Sequence, residues 1–163
     1  MAHGYAINNP GNIRISATLW IGQVVPGDDA DFVTFSSLAY GYRAMFTLLK
    51  NYINKGYNTI DKIINRWAPS SENNTLAYIN HVVQLTGISA DTIIDYSNAE
   101  NMQKLVAAIA YHENGSAPSF TDVQAGYALT GEIQTVQTVG ISLAAVAFVA
   151  ALAVIAYKTL KIK

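Results

Sequence analysis

The chain has 163 residues, no cysteine and a formal net charge of −1, with 51% hydrophobic and 13% charged residues. Lack of cysteine removes disulfides, thiolate-held metals and thiol nucleophiles from consideration. The first 130 residues carry seven Lys or Arg against ten Asp or Glu, which argues against a nonspecific nucleic-acid binder, because such a protein needs clustered cations to displace counterions. A neutral or mixed-charge polymer such as a glycan stays open.

The opening MAHGYAINNP has no apolar stretch and does not read as a conventional signal peptide. From Tyr5 to Phe35 the pattern is irregular to β, rich in Asn and Gly. Short extended pieces are expected around Ile13–Ile15, Leu19–Ile21 and Phe32–Phe35, with a turn at Pro26-Gly27-Asp28-Asp29.

The chain then becomes helical. Ser36 or Ser37 caps a helix presenting Tyr42, Met45, Leu48, Leu49, Tyr52 and Ile53, and Gly56 ends it. Thr59 starts a short helix through Ile60, Ile63, Ile64 and Trp67, which Pro69 stops. A third helix runs from about Asn74 to Leu85, with Gly87 beyond it. Ser97, three residues before Glu100, has the spacing of a capping box. It opens a helix through Met102, Leu105, Val106, Ile109 and Ala110, with Gly115 where a C-cap belongs. A last short helix covers Asp122 to Leu129.

From Val139 to Tyr157 no residue is charged, and Lys158, Lys161 and Lys163 follow. As a helix rising ~1.5 Å per residue, this run spans ~28 Å, about the hydrocarbon thickness of a bilayer. The expected organisation is a mainly α (α+β) domain over 1–130 with a small β-like flap. Residues 131–163 are expected to form a C-terminal transmembrane anchor with a short basic tail.

Few side chains in the domain are reactive. Glu72 lies in a polar turn and Glu100 has a local role in the capping box. Glu113 differs, because it ends an apolar helix and precedes Asn114-Gly115. A carboxylate so placed can face a partly apolar cleft, the setting of a general acid. His112-Glu113 resembles the start of a zinc-binding HExxH, but position 116 is serine, so no metal site is expected. No serine sits in a nucleophile elbow and no glycine-rich phosphate loop is present. Near the N-terminus, Asn8–Arg14 (NNPGNIR) packs amides, a turn and a guanidinium into seven residues, a set suited to hydroxyl, acetamide and carboxylate groups. Trp20, Tyr40 and Tyr42 can add apolar faces for sugar rings. Trp67 reads as core.

These residues carry a resemblance. NNPGNIR, Trp20-Ile21-Gly22, FVTFS at Phe32–Ser36, GYRA at Gly41–Ala44, LLKNY at Leu48–Tyr52 and His112-Glu113-Asn114-Gly115 resemble a family of bacteriophage and prophage virion proteins associated with peptidoglycan lytic transglycosylase activity. More remotely, the Asn-rich loop and the helix ending AAIAYHENG resemble a permuted glucosaminidase of the lysozyme superfamily.

The resemblance implies a lysozyme-like domain with Glu113 as catalytic acid and base, and with Asn9, Asn12, Arg14, Trp20 and Tyr40 as substrate contacts. It needs no cofactor. A single strong carboxylate favours a transglycosylase, whose substrate closes an anhydro ring on itself. A hydrolase more often pairs two carboxylates, for which Asp28, Asp29 and Asp31 are the candidates. The implied partners are bacterial peptidoglycan, other virion or capsid proteins, and a lipid membrane held through residues 139–157. The implied location is a virion, anchored in an internal or envelope membrane, where the protein cleaves glycan during wall penetration. The alternative is a noncatalytic virion membrane protein that uses the same domain for protein contacts.

Overall fold

A computed structural model of the chain describes residues 3–71 and 74–131. Among them six helices form: α1 (His3–Ala6), α2 (Leu38–Asn54), α3 (Ile60–Trp67), α4 (Thr75–Thr86), α5 (Ala99–Asn114) and α6 (Phe120–Ala128). Each of the last four begins on a side chain that satisfies an orphan amide of the first turn. Thr59 Oγ1 accepts from Lys62 N at 3.3 Å and Asn74 Oδ1 from Ala77 N at 3.2 Å. Asn98 Oδ1 accepts from Asn101 N at 3.1 Å, and Ser119 Oγ from Asp122 N at 3.4 Å. The cap expected at Ser97 therefore falls one residue later, at Asn98, and no capping box forms. Glu100 does not reach back; it pairs with Lys104 one turn on, at 2.7 Å. Gly87 and Gly115 end α4 and α5 at φ of 70° and 65°, a left-handed conformation that glycine adopts without penalty.

One hydrophobic core lies between these helices. The buried faces of α2 (Tyr42, Met45, Phe46, Leu49) and α5 (Met102, Leu105, Val106, Ile109) follow the 3–4 spacing of a helix stripe. α6 lies against α2, where Gly126 allows the closest approach. A Cβ there would stand 2.4 Å from Tyr42 Cβ and 2.9 Å from the Ala39 carbonyl oxygen. Next to it Phe46 and Tyr127 meet edge to face at 5.1 Å.

The front segment does not form the expected β-flap. Among the described residues there is no strand, only isolated antiparallel bridges at Arg14–Phe32, Gln23–Phe35 and Thr59–Ile93. The physical reason is that asparagine side chains occupy the backbone groups a ladder would pair. Asn9, fully buried, donates to the carbonyls of Ile13 (2.9 Å) and Val33 (2.8 Å) and accepts from Ile13 N (2.9 Å). Asn8 donates to Phe35 O at 2.9 Å. The lysozyme-like α+β domain is thus corrected to a mainly helical domain with an irregular, side-chain-bonded front.

The membrane expectation is corrected as well. No helix among the described residues is long and apolar enough to cross a membrane, and the Val139–Tyr157 run lies outside those residues. The lipid partner, the membrane-anchored location in a virion and the membrane-bound function, catalytic or not, have no helix among the described residues to rest on.

Candidate functional site

Glu113 stands in the last turn of α5, half-buried, where three segments converge on its carboxylate. Trp67 Nε1, from the last residue of α3, donates to Oε1 at 3.0 Å. The Tyr78 hydroxyl, on α4, donates to the same oxygen at 2.8 Å. Asn12 Nδ2, from the N-terminal loop, donates to Oε2 at 3.0 Å. Burial, then the Glu113 charge and its hydrogen bond, push the Tyr78 phenol far above the ordinary tyrosine range. That phenol stays protonated and donating. Next to Glu113, Asn114 Nδ2 donates to Pro10 O at 2.8 Å, a second tie between α5 and the N-terminal loop.

The carboxylate opens into a hollow of about 750 Å³, whose walls include Asn12, Arg14, Phe32, Tyr52 and Trp67. Arg14 lies over the Phe32 ring, its guanidinium carbon 5.1 Å from the centroid. On the far side of Tyr78 the His112 ring stacks on the phenol at 3.5 Å and 7°. His112 Nδ1 meets His81 Nδ1 at 2.9 Å, so one imidazole donates and the other accepts. Burial and the charge of His81 hold His112 below the ordinary histidine range, against the opposing pull of Glu113.

The structure brings Asn12, Arg14 and Glu113 to one hollow and leaves the other named residues elsewhere. Asn9 is spent on the backbone of Ile13 and Val33. Trp20 lines an adjoining hollow, and Tyr40 packs against Gly22, which has no room for a Cβ. None of Asp28, Asp29 and Asp31 lines the cleft. Asp29 pairs with His3 at 2.8 Å, and the amides of Asp31 and Phe32 bind its carboxylate and hold its pKa low. Among the described residues no three His, Cys, Asp or Glu side chains gather as metal ligands.

Sequence reading missed Trp67 and Tyr78 as partners of Glu113. Trp67 ends its helix at a turn, with Pro69 two residues on, which places a polar-edged ring at an element boundary. That was the available signal. Tyr78 gave none, since it falls on the apolar face of α4 like any core aromatic.

The fold and this cleft define a small helical domain built around one anchored carboxylate. No protein-family model matches the chain. Over 131 residues it is 34% identical to Protein P5 of Pseudoalteromonas phage PM2, an alignment covering 77% of this chain and 80% of that protein. The chain belongs to the family of that phage protein.

Proposed function

We propose that the chain is a phage virion protein whose helical domain is a glycosidase for amino-sugar strands of the peptidoglycan type. Glu113 is its proton donor. The observation that carries this reading is the Glu113 carboxylate, tied to helix and loop neighbours and opening into a hollow of about 750 Å³ with aromatic and amide walls. Hollows of this size suit a few sugar rings, and aromatic walls suit their apolar faces.

The geometry distinguishes the two oxygens of Glu113. Among the described residues Oε1 accepts from both Trp67 and Tyr78, whereas Oε2 accepts from Asn12 alone. Oε2 is therefore the oxygen with capacity left to carry a proton towards a glycosidic oxygen. Trp67 and Tyr78 fix the direction of that transfer. After the bond breaks, the same oxygen takes a proton back, from water in a muramidase-like reaction or from a substrate hydroxyl in a transglycosylase.

The three donors also favour a second reading, in which Glu113 only fastens α3, α4 and the N-terminal loop to α5 in a noncatalytic virion domain. Digestion of purified peptidoglycan by the full-length chain separates the two, with soluble products read by mass spectrometry. Wild type is expected to release glycan fragments and Glu113→Gln to release none. Anhydro ends mark the transglycosylase and reducing ends the hydrolase. No release by folded wild type on several wall types overturns the enzyme reading in favour of the second.

A further inference from the structure

The Glu113 hollow adjoins a second one of about 480 Å³ along Ile13, Arg14 and Leu48. The second hollow is lined further by Trp20, Arg43, Thr47 and Asn51, and among the described residues no acidic side chain lines it. It holds two cations, Arg14 at the junction and Arg43 on α2. Among the described residues neither arginine forms an ion pair. Arg14 lies over the Phe32 ring, its guanidinium carbon 5.1 Å from the centroid, a cation–π contact that uses none of its N–H groups as hydrogen-bond donors to a carboxylate. Arg43 donates Nε to Leu129 O at 3.1 Å, which leaves its terminal nitrogens.

From this juxtaposition we propose that the glycan site continues past Arg14 into the second hollow, which binds a carboxylate carried by the strand. The chain would then prefer an acidic, carboxylate-bearing amino-sugar polymer over a neutral one. This proposal rests on the reading of the first hollow as a glycan site. Two guanidinium groups in a recess with no acid among its described lining residues suit a carboxylate by charge and by paired N–H geometry. Trp20, Thr47 and Asn51 offer a ring face and hydrogen-bonding groups to the sugar that bears it.

The test is calorimetric titration of the full-length chain with two probes. One is a neutral N-acetylglucosamine tetramer, and the other is a peptidoglycan tetrasaccharide whose lactyl and peptide groups carry free carboxylates. The acidic probe is expected to bind about tenfold more tightly at low salt, a preference that shrinks as NaCl is raised. Arg43→Gln and Arg14→Gln should each reduce the ratio of the two affinities to about twofold or less, and Arg43→Lys should retain most of it. Thermal melts of each variant show that the fold persists. Equal affinities in wild type, or a preference that survives both glutamine variants, overturn the anionic site and leave the glycan reading standing. If neither probe binds, both fall.

Discussion

Asn12 and Glu113 are 101 positions apart in the chain and 3.0 Å apart in space, amide to carboxylate. That contact, with the Asn114–Pro10 bond beside it, makes the N-terminal loop one wall of a cleft whose opposite wall ends a helix.

Glu113→Gln should lower glycan cleavage by at least about a hundredfold, the scale of a lost general acid. It should also loosen the site, because an amide has one oxygen to offer three donors. Tyr78→Phe separates the two effects. It removes one donor from Oε1, leaves Trp67 in place, and should cost about 1–2 kcal/mol of stability. Chemical denaturation and product release measured on the same samples decide the matter. A Tyr78→Phe protein as inactive as Glu113→Gln but of wild-type stability would contradict the positioning role given to Tyr78.

Asn9→Ala should act on stability rather than on substrate binding. It leaves the amide of Ile13 and the carbonyl of Val33 without the partner that Asn9 gives them in a fully buried position, while the Ile13 carbonyl still accepts from Val33 N. The expected loss is about 2 kcal/mol or more, from two unsatisfied groups at about 1–3 kcal/mol each. Calorimetric melting reads it directly, and an unchanged transition would show that Asn9 holds nothing.

Gly126→Ala should separate α2 from α6. The new methyl would stand 2.4 Å from Tyr42 Cβ, 2.9 Å from Ala39 O and 3.0 Å from Arg43 N. None of these is the end of a flexible side chain, so the helices must shift, at a cost of about 1–3 kcal/mol. A fall in melting temperature with unchanged helical circular dichroism is the expected signature.

Stability should depend on pH through His112. His81 and Tyr78 on α4 face it, and Tyr111 and Glu113 flank it on α5. Burial and His81 lower its folded pKa below an unfolded value of about 6.5. Between those two values the unfolded chain binds a proton that the folded chain does not, so stability falls as pH falls through that window. Asp29, Asp95 and Glu100 also have lowered pKa values, so their losses set in at lower pH, in the carboxylate range. Urea denaturation from about pH 7.5 to about pH 5 checks the slope, which His112→Phe should flatten while keeping a ring against Tyr78.

The helices were legible because their signals are local. Thr59, Asn74, Gly87 and Gly115 act within one turn of their own position, and the apolar stripes of α2 and α5 repeat every three or four residues. The front segment was not, because its outcome depends on Asn9 reaching carbonyls up to 24 residues away. Short extended pieces signal strands only when their backbone partners are free, and Asn8 and Asn9 had taken them. α1 has four residues, too few for a period to show. For the site, residue type singled out Glu113, Asn12 and Arg14. The directions of Trp67 Nε1 and the Tyr78 hydroxyl are set by packing between helices, which leaves no local trace.

The Asn12–Glu113 contact has a consequence in time. During synthesis the loop emerges roughly a hundred residues before its partner, and loops closed over such separations form late and slowly. Until α5 has left the ribosome the N-terminal loop has no carboxylate to bind, so the cleft is among the last features to appear. A chain broken just before residue 113 would keep Asn12, Trp67 and Tyr78 and lose the carboxylate on which they converge.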